Sequence, residues 1–302
     1  MLSRNRISGR KWKIISGGRE DSEGISGLET QPPDTQMDGG AIIRAVMALS
    51  GGMDSTALLV HLLAEGYNVR CISYNYGQKH AIELDRACEN IAYLRSEGHY
   101  VEHEIADLTS AMGLFHSALT TDDYEVPEGH YEEDKMKQTV VPNRNAIFAS
   151  ILYGYALSTS VEEDSDVVVA LGVHSGDHEI YPDCRPEFYE ALEKALKIGN
   201  WGSDRVSFHL PYIEGDKESI LRDAEISLMK LNLDFDIIFR NTITSYNPDN
   251  EGRSSGRSGS DIERILAFHA IGKKDPLDYI GGWEVVLKHA LGVQFEWGER
   301  NG

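Results

Sequence analysis

The stretch Ser50-Gly51-Gly52-Met53-Asp54-Ser55-Thr56 decides the fold. It follows a short apolar run, Ala45 to Leu49, that reads as a buried strand. It precedes Ala57 to Ala64, which reads as a largely buried helix. Two glycines and three hydroxyl residues therefore sit on a strand-to-helix turn. Glycines let the backbone turn tightly and approach a ligand closely. The N–H groups at a helix start favour an anion, and Ser50, Ser55 and Thr56 add hydroxyl donors. This is the physics of a phosphate cradle. The ordinary nucleotide loop, G-x-x-x-x-G-K-[ST], is excluded because no lysine lies inside the turn. The alternative is a Ser/Gly turn that caps a structural helix.

Downstream of Ala41 the chain alternates strand-like and helix-like runs, the pattern of a parallel sheet with helices on both faces. Val69 to Tyr74 reads as a second strand, Ala81 to Leu94 as a helix, and Tyr100 to Ile105 as a third strand. Residues 106–139 are polar and irregular, which suggests a mobile loop or lid over a site. Val140-Val141-Pro142-Asn143-Arg144-Asn145 leads into an apolar helix, Ala146 to Leu157, and places Arg144 where its guanidinium can reach an anion. Asp166 to Gly172 reads as a buried strand. Ligands of open α/β sheets bind beyond the carboxyl ends of the strands, so the Ser50 turn, Tyr76 to His80 and His174 are expected on one rim.

The chain of 302 residues is 41% hydrophobic and 26% charged, enough for one large α/β domain or a domain with an appendage. Its net charge of −20 argues against a broad nucleic-acid surface. No apolar run reaches the length of a membrane span. Cys71, Cys88 and Cys184 are too few and too scattered for a disulfide framework, so a cytoplasmic protein is expected. Residues 1–40 differ from the rest: 1–19 hold six Lys or Arg and no acidic residue, and 20–40 are rich in Gly, Ser, Asp, Glu and Pro. They read as a flexible tail, or as an over-long start before Met37. The expected division is a 1–40 tail, a 41–240 core and a 241–302 C-terminal segment.

The seven-residue turn resembles the pyrophosphate loop of ATP pyrophosphatases, which cleave ATP between the α and β phosphates. Tyr76-Gly77-Gln78, Val141-Pro142-x-Arg144-Asn145, Tyr181-Pro182-Asp183-Cys184-Arg185, and Asp216-Lys217 before a helix follow in order. Together these motifs, over roughly residues 42–280, resemble the 7-cyano-7-deazaguanine synthase family. The resemblance implies an adenine-nucleotide alpha-hydrolase-like α/β fold with a small C-terminal helical appendage, and usually a homodimer.

It also implies a substrate, 7-carboxy-7-deazaguanine, whose carboxylate ATP converts to an acyl adenylate that ammonia attacks. A second adenylation, of the amide oxygen, then leaves the nitrile. On this reading ATP lies against Leu49, Ser50, Gly51, Gly52, Met53, Asp54, Ser55, Thr56, Ala57, Leu58 and Leu59. Asp54 orients the loop or holds Mg²⁺ through water. Lys217 neutralises phosphate or developing charge, or is a solvated lysine at a helix start. The substrate falls to Arg144, His174, Asp183 and Arg185. His174 contacts the carboxylate, moves a proton, or shapes the loop. Asp183 accepts from ring N–H groups, or caps the helix near Pro186; Arg185 or backbone N–H groups donate to the ring carbonyl. Two rivals are an enzyme joining the activated deazaguanine to another amine, and an inactive nucleotide sensor.

One departure concerns a metal. The family it resembles carries zinc-binding cysteines as T-x-x-C-Y and C-G-x-C-x-x-C, whereas the four slots here hold Ser245, Ser255, Ser258 and Asp261. Neutral hydroxyls are poor zinc ligands, and one carboxylate does not close a site. The purified protein is expected to hold no stoichiometric zinc. Metal bound only to the native state raises stability by mass action, so a chelator should leave the melting temperature unchanged. Stoichiometric zinc by elemental analysis, with chelator sensitivity, would overturn this.

Overall fold

The computed structural model describes residues 43–78, 82–115, 141–174, 181–244 and 253–301. The tail to residue 40, Lys79 and His80, most of the 106–139 loop, Ser245 and Tyr246 lie outside them, as does the side chain of Trp297. Five parallel strands form one sheet in the order β3-β2-β1-β4-β5: β1 Arg44–Ala48, β2 Asn68–Asn75, β3 Glu102–Asp107, β4 Val167–Ala170 and β5 Val206–His209. The strand order reverses beside β1, so β1 and β4 part at their carboxyl ends and leave a crevice.

Alternation along β1 sends its side chains to two cores. Ala45, Met47 and Leu49 pack on one face with α1 (Met53–Ala64), α2 (Ile82–Ser96) and α6 (Lys217–Leu231). Val46 packs on the other with α4 (Arg144–Glu163) and α5 (Pro186–Gly199). The short helices α3 (Thr109–Met112) and α7 (Phe235–Arg240) complete the core; α8 (Gly259–Ala270) and α9 (Trp283–Asn301) follow.

Several sequence expectations shift. The first helix begins at Met53, not Ala57, so Asp54, Ser55 and Thr56 occupy its first turn. The third strand runs two residues later than expected, and Thr109–Met112 is helical rather than irregular. Asp183 does not cap α5, because Arg185 holds the N-cap position and Asp183 lies within a 3₁₀ turn, Pro182–Cys184. β5 was not anticipated, since only four residues of it pair.

The C-terminal segment is fastened by Arg264, which has no exposed surface. Its Nε donates to Asp275 Oδ2 at 2.6 Å, and Nη2 donates to Asp275 Oδ1 and to the Phe239 carbonyl, both at 3.0 Å. Nη1 donates to the hydroxyls of Thr242 and Thr244 at 2.7 and 3.2 Å. Tyr279 OH donates to Asp275 Oδ2 at 2.7 Å. One side chain of α8 thus joins the end of α7, the Thr242–Thr244 stretch and the loop before α9.

Two of the four family metal slots are engaged otherwise. Ser258 is the N-cap of α8 and forms a capping box with Asp261. Asp261 is buried, and burial pushes its carboxyl above the ordinary range against the pull of Ser258 and Arg264. Among the described residues no group of three or more His, Cys, Asp or Glu could hold a metal.

Removing one member of a buried ion pair strands the other, at about 3–5 kcal/mol, whereas replacing both by apolar groups is far milder. Asp275→Ala should therefore lower unfolding stability by about 3–5 kcal/mol in urea titration. Adding Arg264→Met to that variant should recover part of the loss. A double variant weaker than the single would show that Arg264 is held by contacts other than Asp275.

Candidate functional site

The crevice between β1 and β4 opens into a cavity of about 290 Å³. Its floor is the turn after β1. Gly52 is the N-cap of α1 and has no side chain to cap it, so the first-turn N–H groups line the cavity without a side-chain acceptor. By contrast, the starts of α6 and α8 are closed by capping boxes. Ser50 and Ser55 brace the turn: their hydroxyls lie 2.9 Å apart, and Gly52 N–H donates to Ser50 Oγ at 3.2 Å.

Glycine is required twice here. Gly51 has φ +84°, and a Cβ there would lie 2.0 Å from the Glu83 carbonyl oxygen. At Gly172, after β4, a Cβ would come within 3.1 Å of the Asp54 carbonyl. Neither backbone can yield easily, so both positions hold neighbouring chains close to the loop.

Asp54 is half-buried on the first turn of α1, and it is ion-paired. Lys217 Nζ donates to Asp54 Oδ2 at 3.2 Å and to His174 Nε2 at 3.0 Å, and lies 3.6 Å from Glu263 Oε2. Accepting from an ammonium makes Nε2 the unprotonated ring nitrogen of a neutral His174. Burial opposes ionisation of Asp54, but the Lys217 ammonium beside it outweighs burial and holds the carboxyl well below the ordinary range.

Lys217 is 9% exposed, which rules out a solvated lysine. It is also the first residue of α6, where the helix dipole disfavours a cation. The carboxylates of Asp54 and Glu263 offset that cost and aim the ammonium at the cavity wall.

The other wall is aromatic. Tyr74 and Phe148 stack with ring centroids 4.1 Å apart at 13°, and Tyr76 leans on Phe148 at 5.6 Å. Tyr181 and Tyr189 join them in the lining. The Arg144 guanidinium lies 5.9 Å from the centroid of the Tyr76 ring. Such a wall suits a flat, partly polar ring.

The structure thus brings Leu49, Ser50, Gly52, Met53, Asp54, Ser55, Arg144 and Lys217 to one cavity. Thr56, Ala57, Leu58 and Leu59 instead point into the core with no exposed surface and serve the loop by anchoring α1. Gly51 acts through its backbone, accepting from Ile243 N–H at 3.0 Å. His174, 2% exposed, stands behind Lys217 and does not line the cavity. Asp183 and Arg185 are not among the lining residues, although their neighbours Tyr181 and Cys184 are.

Sequence reasoning missed Glu83, Thr244, Ser260 and Glu263, all of which line the cavity. The last two come from α8, so the C-terminal segment supplies part of the wall.

Gly51→Ala meets both a backbone clash and a strained φ. It should lower the unfolding midpoint and weaken adenine-nucleotide binding at least roughly tenfold by calorimetry, since one to two kcal/mol of left-handed strain alone approaches that factor. Unchanged affinity would mean that the loop does not seat the phosphates.

The family model described as Queuosine biosynthesis protein QueC matches residues 44–272. A 7-cyano-7-deazaguanine synthase of Marinomonas sp. (strain MWYL1) is 42% identical over 236 residues, covering 78% of this chain and 98% of that protein. The enzyme of the same name from Caldicellulosiruptor saccharolyticus is 40% identical over 237 residues, covering 78% and 96%. With the loop, the lysine and the aromatic wall assembled at the sheet's crevice, the chain belongs to the QueC family of queuosine biosynthesis proteins.

Proposed function

We propose that the protein is an ATP-dependent 7-cyano-7-deazaguanine synthase, which converts 7-carboxy-7-deazaguanine and ammonia to the nitrile in 7-deazapurine biosynthesis. The observation that carries this reading is the uncapped start of α1 facing the Lys217–Asp54 pair across a cavity with an aromatic wall. Relatives of that name at about two-fifths identity support the same chemistry.

The polyphosphate rests on the N–H groups after Gly52 and on the Ser50 and Ser55 hydroxyls. The flat ring stacks in the Tyr74–Phe148 end, with Arg144 beside its carboxylate. The substrate carboxylate oxygen attacks the α phosphorus, and pyrophosphate leaves with the bond pair. Lys217 stays protonated between carboxylates and neutralises charge growing on the phosphates. Ammonia then attacks the acyl carbon and AMP departs, leaving the amide. The amide oxygen is adenylated in turn, and loss of AMP leaves the nitrile. The protein supplies position and charge, not a covalent nucleophile.

Magnesium fits the site: Asp54 Oδ1 is buried and makes no hydrogen bond among the described residues, so it is open to a hydrated cation. Bound there through Asp54 and the phosphates, Mg²⁺ would neutralise negative charge on the leaving pyrophosphate. Asp183 and Arg185 act, on this reading, only when their turn closes on the substrate. A cytoplasmic homodimer is the expected form, tested by sedimentation of the purified protein. Among the described residues no helix is long and apolar enough to cross a membrane.

The reading is tested by measuring AMP release with ATP, ammonia and 7-carboxy-7-deazaguanine, and by mass detection of the nitrile. Lys217→Ala and Asp54→Asn should each lower AMP release about a hundred- to a thousandfold, the usual loss when one preorganised electrostatic group is removed. Near-normal turnover in both would sink the assigned roles. ATP binding by the wild type without substrate-dependent AMP would sink the function and favour a sensor.

A further inference from the structure

The cavity holds a carboxyl group that none of the roles above uses. Glu83 is the second residue of α2 and lines the same cavity as Asp54 and Lys217. Its own backbone carbonyl abuts Gly51, so its position is fixed against the pyrophosphate loop. Its carboxyl makes no hydrogen bond among the described residues, unlike Asp54, which is paired with Lys217. The groups facing it are Arg144 from α4 and Tyr76 from the end of β2.

We propose that Glu83 is a catalytic base of this site, taking protons from the substrate nitrogen while the amide and then the nitrile are made. The inference rests on the proposed synthase reaction, whose chemistry requires such a group. Ammonia attacking the acyl adenylate yields an N–H⁺ that must be lost. One N–H proton passes to the Glu83 carboxylate, the nitrogen keeps the electron pair, and AMP leaves with the C–O pair. In the second half, O-adenylation leaves the amide nitrogen as C=NH₂⁺; its first proton passes by way of Glu83 to solvent, and the imidate keeps one N–H. That proton passes to Glu83, the N–H pair becomes the third C–N bond, and the C–O pair leaves with AMP. The carboxylic acid then returns its proton to solvent.

Several other lining groups are unsuited. Asp54 is held ionised by a lysine and is too weak a base. Lys217 carries its proton between two carboxylates. Arg144 does not titrate in this range, and burial raises the Tyr74, Tyr76 and Tyr189 hydroxyls away from neutrality. For Glu83, burial pushes the carboxyl up to about 7 against the pull of Arg144, so it accepts and releases protons near neutral pH. Of the three carboxyl groups that line the cavity, Asp54 is held ionised and Glu83 is poised near neutrality, which marks a division of roles.

The test compares wild type with Glu83→Gln and Glu83→Asp over pH 5.5 to about 9, following nitrile from 7-carboxy-7-deazaguanine and, separately, from the amide. The base works only when ionised, so wild-type kcat should rise with pH through about 7 and level off. Glu83→Gln should lose that acidic limb and about 10²- to 10⁴-fold in kcat in both assays. KM and ATP affinity should stay within about threefold, and Glu83→Asp should restore part of the rate with the limb displaced. An active wild type with an unchanged limb and rate in Glu83→Gln overturns this inference alone. A rise in KM at constant kcat would assign Glu83 to recognition, and lost ATP affinity would assign it to holding the loop; either overturns the base. A wild type that makes no nitrile overturns the synthase reading and the inference together.

Discussion

The Lys217 ammonium is the contact on which the site depends. It lies between Asp54 of α1, His174 after β4 and Glu263 of α8, at 3.2, 3.0 and 3.6 Å. Three separate segments converge on one buried cation at the start of a helix, where the dipole disfavours it. Such a cation is stable only while its acceptors are in place, so the charge reports that the surrounding elements are packed. In return it fixes the Asp54 carboxylate as an anion and leaves Oδ1 without a hydrogen bond among the described residues. Packing and electrostatics are here the same arrangement: the contacts between α1 and α6 that fill the core also set the charge facing the phosphates.

The parts of the site that were legible in the sequence are those specified locally. The loop reads from seven consecutive residues because a strand, two glycines and a helix start create anion-binding N–H groups without distant help. The parallel sheet reads from alternating strand and helix runs, and the family resemblance from motifs in register. Residues that reach the site through tertiary register were not legible. Glu83 begins an ordinary amphipathic helix, and only the approach of its backbone to Gly51 shows that it belongs to the loop. Ser260 and Glu263 lie beside degenerate metal slots, which drew the reading toward metal chemistry and away from the cavity. His174, expected to contact the carboxylate, move a proton or shape the loop, lies behind Lys217 and off the cavity lining. Asp183 and Arg185 belong to a strong local motif, yet the 3₁₀ turn presents their neighbours to the cavity instead.

The C-terminal segment joins these two themes. Arg264 binds the end of α7, Thr242, Thr244 and Asp275 at once, and Thr244 also lines the cavity. Ser258 and Asp261, which stand where the family it resembles has metal ligands, close the first turn of α8. A helix that carries Glu263 toward Lys217 is thus set by a guanidinium clamp at its middle and a capping box at its start.

That clamp has a consequence for the chemistry of damage. Residues 241–302 contain neither cysteine nor methionine, so an oxidant meets no sulfur in the segment that completes the cavity wall. Hydroxyls, a carboxylate and a guanidinium do not climb the sulfenic–sulfinic ladder, nor do they exchange with thiols. Of the three thiols elsewhere, burial raises those of Cys71 and Cys88 away from the reactive thiolate. The third, Cys184, is buried against the cavity itself. Oxidation of exposed sulfur elsewhere, such as the Met229 thioether, would therefore leave the architecture of the C-terminal wall unchanged.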